Sequence, residues 1–150
     1  MKHLKRFNEK IQWNKDRPEL LEFCEDNLAY LLDKNFAVSV RLYPMRNNTY
    51  SGGIRDEGYI SIYPNRHGVT FKWNEVKDDF ITFLEMLIIK YGLLQEEVKI
   101  TLIYSSGMIK VFSGENGVIN GARNAFDINK ILDDKLTSRG NLEEIRVENK

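Results

Sequence analysis

Residues 69–92 read VTFKWNEVKDDFITFLEMLIIKYG, and the reading of this stretch decides the fold. Its first five residues alternate, with Val69, Phe71 and Trp73 on one side and Thr70 and Lys72 on the other, which is the period of a strand. Asn74 then predicts an N-cap, with Glu75, Asp78 and Asp79 massed where the positive end of a helix favours negative charge. From there the period lengthens. Val76, Phe80, Phe83, Leu84, Leu87, Ile88 and Tyr91 form an apolar stripe broad enough to cover a sheet, and Gly92 supplies a left-handed stop.

Upstream, Pro18 suits a first helical turn, and Leu21, Cys24, Leu28, Leu31 and Leu32 recur at helical spacing up to a stop at Asn35. FAVSVRLYP (36–44) alternates with Val38, Val40 and Leu42 on one face, and YISIYP (59–64) follows with Ile60 and Ile62 inward. RNNTYSGGIRDEG (46–58) is a loop by composition, and NRHG (65–68) is a turn. Downstream, VKITLIY (98–104) and MIKVF (108–112) predict a hairpin, followed by the Gly/Asn-rich connection SGENGVINGARNAF (113–126). Asp127 opens a short helix on Ile128, Ile131 and Leu132, and LEEIRVENK (142–150) ends the chain as an edge strand or a tail. The order α-βββ-α-ββ-α predicts an α+β domain, a mostly antiparallel sheet of about five strands with helices packed on one face.

Length and composition fit a single globular domain of 150 residues, 42% hydrophobic and 11% aromatic. Basic and acidic residues number 22 each, so the chain has no global pull on a polyanion. The charge is uneven locally. Residues 1–17 hold six basic and two acidic side chains, residues 18–40 one and five, and residues 41–72 five and two. The single cysteine, Cys24, excludes an internal disulfide, and no apolar run approaches the length of a membrane span. A cytoplasmic compartment and no membrane partner are the expectation; the sequence sets no oligomeric state.

Enzyme motifs are missing, and catalysis, metal and cofactor are not expected. His3 and His67 lie far apart and outside metal-ligand contexts. Cys24 falls on the apolar stripe of the first helix, the place of an inert buried thiol. The connection 113–126 lacks the Gly-Lys-Ser/Thr ending of a phosphate loop. The leading αβββαβ order resembles the core of restriction-type nucleases, but Thr70-Phe71-Lys72 lacks the acid their third strand needs for Mg²⁺, and the E-x-K at Glu97-Val98-Lys99 follows the second helix. The order αβββα also resembles the double-stranded-RNA-binding domain, whose second helix offers lysines to phosphates. Here that helix opens Glu75-Val76-Lys77-Asp78-Asp79, which repels them.

What remains is the outward face of the strands. Arg41, Lys72, Lys99 and Lys110 are its cations and Tyr43, Tyr59 and Tyr63 its aromatics, with no carboxylate among them. Arg46, Tyr50, Arg55, Arg66 and His67 add to this surface from the loops at the strand ends. Such a face suits a tyrosine-rich protein interface, or a single-stranded nucleic acid with its bases stacked and its phosphates paired. The same residue types also populate solvated strand faces through β-propensity.

The opening nonapeptide MKHLKRFNE resembles the start of small accessory proteins of T4-like and marine tailed bacteriophages, which often begin Met-Lys and reach Phe-Asn-Glu a few residues later. In some of these a short leader sends an internal virion protein to the prohead and is clipped after a glutamate, for which Phe7-Asn8-Glu9 is the candidate here. The resemblance implies a phage accessory protein that acts by binding, with a protein partner expected first, nucleic acid second, and a place in the virion interior third. The domain division expected is a basic leader over 1–17, the α+β domain over 18–136, and a tail or edge strand over 137–150.

Overall fold

A computed structural model describes residues 11–43, 57–93, 98–104 and 141–149, and the backbone of 107–112. Helix α1 (Trp13–Asn27) and the short α2 (Ala29–Asp33) precede β1 (Phe36–Leu42) and β2 (Gly58–Pro64). Helix α3 (Trp73–Tyr91) leads into β3 (Val98–Tyr104) and β4 (Gly107–Phe112), and β5 (Leu142–Asn149) ends the described chain. The strands form one antiparallel sheet in the spatial order β1-β2-β5-β3-β4. The protein is therefore α+β. The short helix expected from Asp127, the connection before it and residues 1–10 lie outside the described residues.

The C-terminal segment is neither tail nor edge. Strand β5 lies at the centre of the sheet, pairing with β2 through Ile60↔Val147 and Ile62↔Ile145 and with β3 through Ile100↔Val147 and Leu102↔Ile145. Its inward residues Leu142, Ile145 and Val147 are buried. A register shift opposite Ile103 and Tyr104 puts an extra residue into the β5 side, which brings Leu142 onto the same face as Ile145 despite their odd spacing.

The third expected strand is not a strand. Only Phe71 pairs, in an isolated bridge whose two hydrogen bonds to Leu142 measure 2.9 and 2.8 Å. The helix begins at Trp73, with Lys72 rather than Asn74 at the N-cap, where the Lys72 N–H donates to Glu75 Oε2 at 3.1 Å. A turn closes just before, with the Val69 N–H on the Arg66 carbonyl and Gly68 at φ 82°. Turn and cap together leave no length for a ladder. Phe71 and Trp73 are nevertheless buried, whereas Val69 is 43% exposed. Helix α3 buries Val76, Phe80, Phe83, Leu84, Leu87 and Tyr91 as its stripe predicts, and it ends at Gly92 at φ 59°, with the Leu93 N–H returning to the Ile88 carbonyl at 3.0 Å.

Helix α1 starts before Pro18. The Gln12 N–H donates to Asp16 Oδ2 at 2.9 Å, and the Asp16 N–H makes the first helical bond, to the Gln12 carbonyl at 2.7 Å, which places Trp13 at the first helical position. Pro18 sits inside the helix and forgoes one helical bond there. Residues 11–17 thus belong to the domain and not to a leader, with Ile11 and Trp13 both buried. Trp13 packs over Gly58, where an added Cβ would sit 3.1 Å from the indole and collide with the Arg41 carbonyl. Helices α1 and α3 lie side by side on one face of the sheet, Phe23 meeting Phe83 and Tyr91 with ring centroids 6.1 Å apart in each pair. One continuous core joins their buried faces to the inward residues of the sheet.

Candidate functional site on the sheet face away from the helices

Antiparallel register fixes which residues share the face away from the helices. Ser39, Ser61, Arg146 and Thr101 form one row across four strands, and Arg41 pairs with Tyr59 in the next. Strand β5 therefore inserts Glu144, Arg146 and Glu148 into the middle of the face. The expectation of a face without carboxylates fails on this point, because it rested on a sheet from which β5 was left out.

The inserted carboxylates occupy the neighbouring donors. Glu148 pairs with Lys99 at 3.6 Å and accepts the Tyr43 hydroxyl at 3.0 Å. Burial, reinforced by that carboxylate, pushes the Tyr43 phenol up to about 12. Glu144 takes Arg146 Nε at 2.8 Å and Nη2 at 3.3 Å, and it accepts the Ser61 hydroxyl. The bond from Glu144 raises the Arg146 pKa further, so this guanidinium stays charged. It lies 4.6 Å from the centre of the Tyr59 ring, which in turn is 5.2 Å from the Tyr43 ring. Ser61 and Thr101 are buried although they belong to the face away from the helices.

Beside this network the face hollows into a basin of about 740 Å3 between β1, β2, the start of β5 and the turn 65–70. Arg41, Tyr59, Tyr63, Arg66 and His67 of the expected surface line it, joined by Glu143, Glu144 and Arg146 from β5. Arg41 donates Nε to Ser39 Oγ at 3.2 Å and lies 6.0 Å from the centre of the Tyr63 ring. On the far side of the turn a smaller cavity of about 360 Å3 shares Pro64, Asn65, Arg66, Val69 and Thr70 and adds Lys34.

The remaining candidates divide. Tyr43 and Lys99 are in the network but do not line the basin. Lys72 leaves the face altogether, as the N-cap residue of α3. Lys110 stands opposite Thr101 in β4, which puts it at a register position on the same face. Arg46, Tyr50 and Arg55 lie outside the described residues. The residues missed are Glu143, Glu144 and Arg146, and a signal for them existed. From Glu144 to Glu148 polar and apolar residues alternate strictly, the pattern of a strand with one face buried and one face wet.

Cys24 is fully buried under the helices, and burial first, then Glu25, pushes its thiol up to about 12. Among the described residues no group of His, Cys, Asp and Glu is placed to hold a metal ion, and no helix is long and apolar enough to cross a membrane. Compared with protein-family models, curated proteins and solved structures, the chain finds no match.

Proposed function

We propose that this chain acts by binding rather than catalysis, as an accessory protein of the tailed-phage type that engages a protein partner through the sheet face away from the helices. The observation that carries the reading is the basin, where Tyr59, Tyr63, Arg41 and Arg66 line one concave surface. Tyrosine and arginine are the residues that most often anchor protein interfaces, because they combine a large contact area with directed polar groups. Nucleic acid is the second reading, supported by the tyrosines and by Arg41 beside Tyr63. Against it stand Glu144 and Glu148, since a phosphate approaching Arg146 or Lys99 meets a carboxylate already in contact with that cation.

The test is capture from a bacterial lysate by the immobilised full chain. A specific protein should be retained by the wild type, lost with Tyr63→Ala, and kept with Tyr30→Ala, whose ring is exposed on α2 away from the basin. Retention of single-stranded DNA at low salt, lost steeply as salt rises, decides for the second reading.

A further inference from the structure

We infer that the basin is a seat for an acidic peptide segment, with Arg41 and Arg66 gripping a partner carboxylate while Tyr59 and Tyr63 take up its apolar neighbours; this rests on the protein-binding role proposed above. The argument begins from how the charges of the lining sort. Arg146 is compensated by Glu144. Arg41 and Arg66 are exposed, and among the described residues neither has a carboxylate within ion-pair distance. Arg41 spends one donor on a hydroxyl, which leaves the two Nη groups of its fork. The lining holds three arginines against Glu143 and Glu144, so it keeps a net positive charge in a chain that has none overall.

The geometry favours a discrete anion over a polyanion. A nucleic-acid strand needs a run of cations following successive phosphates. Beyond Arg41 that run is broken, because Glu148 stands beside Lys99 and Glu144 beside Arg146. A volume of about 740 Å3 holds a few side chains of an extended segment rather than a track of nucleotides. The planar fork of arginine matches a carboxylate with two parallel hydrogen bonds. The rim fits the same occupant. Val69, 43% exposed, stands at the turn shared by the basin and the smaller cavity, where it gives a crossing peptide an apolar contact.

The test uses the full chain and labelled short peptides in which an aromatic residue is flanked by two glutamates, with glutamine-flanked versions beside them. The glutamate peptide should bind at least about tenfold more tightly than its glutamine counterpart, the usual worth of a charge-assisted hydrogen bond. Arg41→Gln and Arg66→Gln should each remove about that factor, and Lys15→Gln on α1 should remove none. Both arginines are exposed, and an unchanged unfolding midpoint in each variant shows that a loss of binding is not a loss of fold. Equal binding of the two peptides, no binding of either, or preferential binding of a single-stranded oligonucleotide at the same site overturns the inference. If the lysate partner is still captured by the Arg41→Gln/Arg66→Gln double variant, the acidic seat is wrong and the protein-binding role stands. If neither partner nor peptide is bound, both fall.

Discussion

Glu148 accepts the Tyr43 hydroxyl at 3.0 Å across 105 residues of sequence. The bond spans the sheet from the end of β1 to the end of β5 and passes over β2, which lies between them. Strand β5 thus joins β1-β2 to β3-β4, and among the described strands no other ladder links the two hairpins.

A chain ending at Asn141 should therefore fail to fold rather than lose an edge. Removing β5 exposes the inner sides of β2 and β3 together with the Leu142, Ile145 and Val147 positions of the core. Loss of a cooperative unfolding transition is the expected result, read by circular dichroism and urea titration. The point variant Ile145→Ala should cost about 2–5 kcal/mol, the same range expected for Leu84→Ala on α3. A loss under about 1 kcal/mol at Ile145, with Leu84→Ala costing several times more, removes β5 from the core.

Gly58 is the second sensitive point. Its missing side chain lets Trp13 lie against the strand, and a Cβ there meets the Arg41 carbonyl as well as the indole. Gly58→Ala should destabilise by about 1–3 kcal/mol, as overpacking in a close-packed core does. Tryptophan emission should shift toward that of a wetter indole. An alanine tolerated without cost shows that residues 11–13 pack loosely and restores the leader to its expected length.

Cys24 should behave as a core residue. A thiol reagent is expected to label the native protein slowly and the unfolded protein fast. The raised pKa also sets a sign for alkaline stability. The unfolded thiol loses its proton near its ordinary value of 9.0 while the folded one holds it to about 12. Between those values the native state binds more protons, so stability falls as pH rises, by up to about 1.4 kcal/mol per pH unit for this group. Below pH 9 its contribution is complete. Cys24→Ala should flatten the decline between pH 9 and 12 by the slope of one proton, and an unchanged slope contradicts the assignment.

The elements legible in the sequence are those set by local chemistry. The α3 stripe, the stop at Gly92, the left-handed Asn35 at φ 70° and the inward Ile60 and Ile62 follow from period and from conformational preference. Trp13 was also within reach, because the apolar period runs back from Cys24 through Leu20 to position 13, but the surrounding charges masked it. The position of β5 was not legible. Alternation marks a strand without naming its neighbours, and the pairing of Ser61 with Arg146 is a contact between distant parts of the chain. The candidate site inherited that gap. Tyr43, Tyr59, Tyr63 and Arg41 stand on the face expected of them, whereas the carboxylates that set its electrostatics arrive on the unplaced strand.

Those carboxylates supply the last prediction. If Glu144 and Glu148 are what keep the face from attracting a polyanion, replacing both should create the surface that the cations and tyrosines alone describe. The variant Glu144→Gln/Glu148→Gln should gain single-strand binding that the wild type lacks, read by fluorescence anisotropy at low salt. Its log-affinity should fall with log salt by about 0.7 per phosphate contact, with Lys99 and Arg146 the expected contacts. Adding Tyr59→Ala should then cost about 1–3 kcal/mol of stacking with little change in slope. The glutamine side chains keep hydrogen-bonding capacity toward Ser61, Tyr43 and Arg146, so the fold should survive with a modest loss of stability. Single-strand binding equal in wild type and variant defeats the electrostatic argument. Strong binding already in the wild type would return nucleic acid to first place, because the carboxylates would then have failed at the one task assigned to them.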